Sequence, residues 1–480
     1  MDMVSMNDYP NFGNGFGIGS AADVENLNKA LTTGDYAQAN GVAAQVNGAA
    51  LQVESLENSL KALTYTEDKI KLWKRIPKSA AYSTVEEYNQ LLSYGQEGGG
   101  FVLEGELPET QDSEYRRQAS FVKFLGTTRQ VTHPMTLVRS AHGDVIARET
   151  RNGILWMLQK VEHALLWGNS KLAPQGKEGP QFDGLATMIP DDNSIDLKGN
   201  DLQEKDINDG ANLILENYGT PTDMFLPFEV MQNFSQEFFP KERVIMPTQA
   251  GYQAGVVVNQ FQTYGGPVSF MPDLFLQKTK PLSPAGSGGV KAPTVPDKVT
   301  VKLGTKTNAE FAKSGAGTYS YAVTACNQYG ESIPCEADSD IALTAADLEK
   351  GVEITINNAT SMVVPPDYFN VYRTEKDGKQ KFKIMSIPAQ STTPGGQTVE
   401  TDINFTMPNT HTAFMGEMSA DVIQFKQLAP IMKMDLAQLG PVYRWMILLY
   451  GTPVLYMPRK WMKFRNIKAS SRVAPNGLYY

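Results

Sequence analysis

The sequence predicts an α+β chain into which an all-β sandwich is inserted. Three observations predict it. An amphipathic stretch at 143–167 is followed by short helix-like and strand-like runs, the texture of a mixed α+β body. From 297 to about 405 the pattern is strands and turns alone. At PNTHTAFMG (408–416) that pattern stops and the mixed texture returns, so the all-β stretch interrupts one body.

The chain has 480 residues, 41% of them apolar, which suffices for several buried cores. No run approaches the roughly 18 apolar residues of a membrane-spanning helix. Residues 1–10 have neither the basic start nor the apolar segment of an export signal, so neither membrane insertion nor secretion is expected. Cys326 and Cys335 are the only cysteines, which leaves no disulfide framework and makes a reducing compartment the expectation. They could meet across a hairpin if 329–332 forms a four-residue loop, although free buried cysteines are the commoner arrangement.

The net charge of -9 and pI near 5.2 argue against a nucleic-acid binder as a whole. PRKWMKFRNIKASSR (458–472) is the local exception, with Arg459, Lys460, Lys463, Arg465, Lys468 and Arg472 interleaved with Trp461 and Phe464. Stacking on bases is one reading. The stronger one is a terminal strand anchored by Trp461, Phe464 and Ile467, its charges solvated or paired.

The elements follow in order. Residues 1–70 form an N-terminal arm, rich in Asn, Gly and Ala over the first fifty and ending in a short amphipathic helix with Leu56, Leu60 and Leu63 on one face. The glycines of GNGFGIGS (13–20) lack the strand before and the Gly-Lys-Ser/Thr after that a phosphate loop needs. Two β-prone stretches, 79–94 and 115–138, flank GQEGGGFVLEGELPETQDSE, glycine-rich at its start and acidic at its end, with Glu104, Glu106, Glu109, Asp112 and Glu114. This is a long two-stranded ribbon with a mobile tip. An isolated ribbon is marginally stable, so one this long implies something outside the domain to lie on.

Residues 143–167 are the clearest helix. Ile146, Thr150, Ile154, Met157, Leu158, Val161 and Leu165 form one stripe, and Arg148, Glu149, Arg151 and Lys160 lie off it. At ~1.5 Å per residue it runs on the order of 37 Å. Beyond a Gly/Pro-rich break at 168–183, helices near 204–217 and 227–238 alternate with strands at 223–227 and 266–272. KTKPLSPAGSGGVKAPTVP (278–296) is a linker by composition. Then come VTVKLG, TYSYAVTAC, EITINN, FNVYRT and KFKIMSI joined by a turn at Lys376-Asp377-Gly378, and TVETDIN. QFKQLAPIMKMDLAQ and RWMILLYGTPVLYMPRKWMKF complete the body.

Chemistry has no evident home. His133, His142, His163 and His411 are the only histidines, and none has a second His or Cys at metal-ligand spacing. Glu162-His163 lacks the second histidine of a metalloprotease helix, which leaves His163 as a capping or core-edge residue. There is no Gly-x-Ser-x-Gly elbow and no dinucleotide fingerprint. Asp191-Asp192 and Glu86-Glu87 read as solvated acids. No catalytic, cofactor or metal site is expected.

FDGLATMI (182–189), LKGNDLQEKDIN (197–208), YGTPTDMFLP (218–227), GEMSADVIQF (416–425) and MPRKWMKFRNI (457–467), in this order and spacing, carry a resemblance. With the arm, ribbon, long helix, mixed body, inserted sandwich and β-rich close, the chain resembles major capsid proteins of tailed bacteriophages with the HK97-like fold. It is most similar to those of the Twort-like contractile-tailed group. The resemblance implies an N-arm (1–70), a first core part (71–290) with an E-loop at about 79–133, a spine helix at about 143–167 and an A-domain at about 190–290. It further implies an immunoglobulin-like insertion (291–411) on the shell's outer face and a second core part (412–480).

The implied function is a structural subunit of an icosahedral head around double-stranded DNA, built of hexamers and pentamers, assembled in the host cytoplasm and ending in the virion. Scaffolding, portal and decoration proteins are implied partners; DNA is contacted weakly and without specificity. Ribbon-tip acids meeting Arg148 and Arg151, or Arg459, Lys460, Lys463 and Arg465, of a neighbouring copy are the expected contacts. The alternatives are an adhesin with an immunoglobulin-like module, or an enzyme with a lectin-like accessory domain; the first lacks a leader or anchor and the second lacks convergent titratable residues.

Some shells of this fold lock through an isopeptide bond from an E-loop lysine, and residues 95–115 contain no lysine. Denaturing electrophoresis of boiled assemblies is therefore expected to give monomers; a ladder of covalent rings would refute this.

Overall fold

The computed structural model describes residues 36–39, 42–45 and 67–469, except 96–99, 139–142, 175, 178, 239–245, 249–250, 254–257, 277–278 and 439. The glycine run at 13–20 and the helix expected around Leu56, Leu60 and Leu63 lie outside the described residues. Tyr36–Ala39 (β1) and Val42–Gln45 (β2) pair antiparallel within one compact unit. Everything that follows concerns the other unit, Thr64–Leu137 with Val145–Tyr480.

Its helices are Leu72–Arg75 (α1), His133–Leu137 (α2), Val145–Trp167 (α3), Leu185–Met188 (α4), Glu204–Glu216 (α5) and Phe228–Phe238 (α6). α3 is the long helix expected from the apolar stripe, and Met157, Leu158, Val161 and Leu165 of that stripe are buried. Gln159 and Glu162 are buried as well, which apolar periodicity could not show. The helix packs on a four-stranded sheet ordered β3 (Lys78–Ala80), β23 (Ile423–Asp435), β24 (Val442–Leu455), β6 (Lys123–Thr132). Phe425, Trp445, Ile447 and Leu449 of the sheet join its core. A Cβ on Gly153 would stand 2.5 Å from Ile447 Cδ1, so the absence of a side chain there makes room for Ile447 against the helix. At the other end, the chain after Trp167 folds back against the helix terminus, with Gly184 N–H donating to Gly168 O at 2.9 Å.

The ribbon is Val85–Ser93 (β4) paired antiparallel with Glu114–Phe121 (β5). It is shorter than the 79–133 arm expected from sequence. β3 runs parallel to β23 in the body, and after Val122 the second strand changes partner and continues as β6 along β24. A strand that switches partners keeps its period-2 pattern, so alternation alone cannot mark the switch. The root of the ribbon also rests on its own body. The Gln90 side-chain amide donates to Tyr456 O, the Tyr88 and Tyr456 rings meet edge-on at 5.0 Å, and the Ser120 and Thr452 hydroxyls lie 3.2 Å apart.

A six-stranded sheet has the order β11 (Gln260–Thr263), β12 (Gly266–Pro272), β8 (Asp223–Leu226), β22 (Thr410–Gly416), β25 (Trp461–Lys468), β7 (Ser194–Asp196). α5 and α6 cover it with Ile207, Ala211, Ile214, Val230 and Phe234. Gln203 and Asp206 close a capping box at the start of α5. Trp461, Phe464 and Ile467 are fully buried in β25, the anchoring role expected of them. A separate pair joins Met246–Thr248 (β9) to Gly251–Gln253 (β10).

The chain leaves this sheet after β12 and re-enters it at β22. Between them stand two antiparallel sheets. One holds Lys298–Leu303 (β13), Val352–Asn357 (β18) and Gln397–Asp402 (β21). The other has the order β16 (Cys335–Glu336), β15 (Tyr321–Cys326), β19 (Tyr368–Thr374), β20 (Lys381–Pro388). Gly317–Tyr319 (β14) pairs with Ile341–Leu343 (β17) beside them. Both sheets contribute to one core, Val299, Ile354 and Ile356 from the first and Tyr321, Val323, Phe369 and Val371 from the second.

β15 is buried on both faces. Its outer face is covered by Glu331, which accepts from Thr324 Oγ1 (2.5 Å), Asn370 Nδ2 (3.1 Å), Tyr372 OH (2.6 Å) and Lys280 Nζ (2.7 Å). Burial alone would raise the Glu331 carboxyl, but the Lys280 charge and these donors overcome it and hold it at about 2. Lys280 belongs to the stretch read as a linker, and that stretch is not free. Lys383 N donates to Lys280 O at 2.7 Å and Leu282 N to Lys381 O at 2.8 Å, so it lies along the edge of β20. Val323 stands opposite Cys335, which puts Cys326 out of register with it, and both thiols are free. The β15–β16 connection is correspondingly longer than four residues.

Arg373 is wholly buried, ion-paired with Asp402 and hydrogen-bonded to Asn404, while Tyr321 OH donates to the same carboxylate at 2.9 Å. The guanidinium also lies over the Phe311 ring, 5.0 Å from its centroid. Removing one member leaves a buried charge unpaired, so Asp402→Ala is expected to cost about 3–5 kcal/mol. Thermal melting of the full chain checks this; a double change of Arg373→Met with Asp402→Leu should recover most of the loss.

Candidate assembly surface

The distal half of the ribbon and its tip expose side chains that soluble surfaces usually bury. Phe101 is fully exposed, Leu107 is 93% exposed and Leu103 74%, with Tyr94 and Leu92 exposed on the approach. The tip turns at Leu103–Glu106, where Glu106 N donates to Leu103 O at 3.0 Å and Gly105 takes a φ of 92°, which glycine adopts without strain. Interleaved with the apolar residues are Glu104, Glu106, Glu109, Asp112 and Glu114, all exposed. Two strands have no interior of their own, so nothing in the ribbon can cover this stripe. Sequence reading singled out the acids; Tyr94, Phe101, Leu103 and Leu107 carried a further signal, large apolar residues in a glycine-rich polar stretch.

The candidate basic partners divide into two kinds. Most of the C-terminal cluster is engaged within its own subunit: Lys463 with Asp191 at 2.5 Å, Lys460 with Glu417 at 3.4 Å and Lys468 with Asp201 at 3.5 Å. Arg465 lies 3.8 Å from Asp196 and over the Phe405 ring at 3.7 Å from its centroid. The Arg459 backbone carbonyl accepts from Asn193, and its side chain is exposed. On α3, Arg151 is exposed and Arg148 half-buried. The chain brings none of these cations to the acidic tip by itself.

The remaining polar candidates are structural. Among the described residues no group of three or more His, Cys, Asp or Glu side chains could hold a metal ion. His163 has its imidazole pushed down to about 4 by burial and by Lys383, Lys160 and Lys280. His411 Nε2 lies 3.0 Å from Glu229, and His142 falls outside the described residues. Glu87 pairs with Arg117 across the ribbon at 3.4 Å, and Glu86 accepts from Tyr82 N–H.

Comparison with known proteins agrees with this picture. A family model described as SU10 major capsid protein matches residues 102–326, from the ribbon tip to β15. The major capsid protein of Staphylococcus phage K is 29% identical over 419 residues, covering 86% of this chain and 89% of the relative. That of Staphylococcus phage S25-3 is 28% identical with the same coverage. A solved structure titled Mycobacterium phage Bobi aligns with 88% of this chain and 98% of its own at 10% identity; its TM-score of 0.44 is too loose to add weight. Neither the adhesin nor the enzyme alternative finds support among these relatives. The chain is thus similar, over 86% of its length, to the major capsid proteins of these phages.

Proposed function

We propose that the chain is the structural, non-enzymatic subunit of a tailed-phage head, associating with copies of itself as hexamers and pentamers of an icosahedral shell around double-stranded DNA. The observation that carries this reading is the ribbon tip, whose apolar and acidic side chains are left exposed by the described residues of their own chain. A repeated contact between the tip of one copy and the body of the next supplies that cover and closes into rings. Assembly in the bacterial cytoplasm, with scaffolding, portal and decoration proteins as further partners, fits a capsid subunit. DNA then meets a shell lining of net acidic protein and binds weakly.

Residues 291–411 act in this reading as an immunoglobulin-like domain on the shell surface. Support comes from the seven-stranded pairing of three against four, the single core between the sheets, and exit and re-entry through one sheet of the body. The stretch 280–282 clamps this domain to its entry strand, so an excision should begin before Lys280. Replacing 280–405 by a short Gly/Ser bridge is expected to leave a folded, assembly-competent body, read by cooperative melting and electron microscopy. Loss of all folding would reject the insertion reading.

Of the candidate cations, Arg151 and Arg459 are exposed, whereas Lys460, Lys463 and Arg465 already hold carboxylates, so the first two are the better partners for the acids. A single exposed ion pair contributes little. A shell repeats it hundreds of times, so the sum governs assembly and makes it salt-dependent. The triple reversal Glu104→Lys, Glu106→Lys, Glu109→Lys should leave the subunit folded and lower shell yield most at low ionic strength. Unchanged yield and salt response would assign the contact to Phe101, Leu103 and Leu107, and a subunit that stays monomeric with its tip protected from protease would overturn the assembly reading itself.

A further inference from the structure

Glu162 is sealed from solvent on α3, and its carboxylate is surrounded by donors. Oε1 accepts the backbone N–H groups of Lys71 (2.7 Å) and Leu72 (2.6 Å), and Oε2 that of Trp73 (2.8 Å). These amides open α1, where a helix leaves its first N–H groups unpaired, and no side chain of α1's own N-cap residue serves them. A carboxylate ninety residues away supplies the cap.

Asp273, just past β12, is equally buried and hydrogen-bonded to Glu162. Its Oδ1 accepts Phe275 N–H at 2.8 Å, whereas its buried Oδ2 meets no N–H or O–H donor. Two touching carboxyl groups in a water-free site do not both ionise. The N–H donors crowd Glu162, so Glu162 carries the charge and Asp273 Oδ2 carries the proton and donates it. Burial pushes Asp273 well above the usual carboxylate range, and the Glu162 charge pushes it further; Lys71 opposes weakly. Burial also raises Glu162, against the pull of the three N–H groups. The other charge facing the pair is Lys78, whose Nζ donates to Trp73 O at 2.7 Å.

We propose that this carboxyl pair is a proton-operated latch: the proton shared by Asp273 and Glu162 keeps the sealed site singly charged while Glu162 holds residues 71–73 against the long helix, and its loss sets two carboxylates side by side without water, which opens the site and frees that segment. The consequence reaches the ribbon, because the chain runs from α1 through β3 directly into β4. A carboxyl whose folded pKa is raised stabilises the closed state at low pH, and that stabilisation is lost as pH rises through the folded value. The latch therefore loosens with rising pH, by release of one proton to solvent. It is a property of the single chain and does not depend on the shell reading.

Hydrogen exchange of peptides spanning 67–77 in the full-length protein tests it, from about pH 5 to about pH 9, with intrinsic exchange corrected. In the wild type, protection should fall by up to about tenfold per pH unit above the ordinary carboxylate range. Asp273→Asn keeps a donor toward Glu162 but has no proton to lose, and its protection should be flat with pH. The same slope in both proteins would overturn the latch. Should the variant fail to fold, infrared spectroscopy of the wild type decides: a protonated-carboxyl band at neutral pH must vanish in step with protection, and its absence at neutral pH would equally reject the proposal.

Discussion

Burial of one face of the Val145–Trp167 helix against the β3–β23–β24–β6 sheet is the constraint on which the rest of the body depends. At Gly153 the helix has no side chain, and the Ile447 and Arg129 side chains of the sheet pack directly against it. Its far end holds the returning chain through Gly168 and Gly184, and its middle holds α1 through Glu162. The ribbon inherits this fixation from both sides. β3 lies at one edge of the sheet and β6 at the other, and the ribbon strands β4 and β5 are their immediate continuations. A contact made far out on the ribbon is thus made by a lever whose two roots belong to one packed sheet.

Charge is distributed to match. In the body, acids and bases are spent on each other: Asp191, Asp196, Asp201 and Glu417 take the lysines and arginine of the terminal strand, and Arg373 and Asp402 neutralise one another inside the sandwich core. At the ribbon tip five acids in eleven residues are exposed and have no ion pair among the described residues. An isolated subunit gains nothing from that arrangement, since like charges crowded at one end repel. In the assembly proposed above, a basic surface of another copy would neutralise that charge, and the same repulsion between free tips would disfavour tip-to-tip encounters.

The sandwich is held more firmly than a tethered module would be. Glu331 gathers three side chains of its own sheet and Lys280 of the incoming chain on one carboxylate, and the incoming chain extends the sheet at β20. The carboxyl stays ionised to about pH 2, so its contribution is present above the unfolded carboxylate range and fades only as pH falls through that value. The clamp is therefore unaffected in the pH range where the Glu162–Asp273 pair titrates.

Local pattern was sufficient for what depends on local pattern. The stripe Met157, Leu158, Val161 and Leu165 specified a long helix and its buried face, and the resumption of mixed texture after 408 specified an interruption, because both are periodicities readable within a few turns or strands. The burial of Trp461, Phe464 and Ile467 was legible for the same reason. What the tertiary structure decided is everything that hinges on a distant partner. Continuous alternation from Glu114 to Thr132 hides a change of neighbour at Val122; a Pro/Gly-rich stretch gives no hint that its Lys280 is a ligand of Glu331. Glu162 beside His163 lacks any motif in sequence, and its role emerges only when the three N–H groups of α1 and Asp273 are set around it. A carboxylate's role is fixed by the donors that reach it, and in this chain those donors arrive from about 90 residues before it and 110 after it, a separation at which no spacing rule operates.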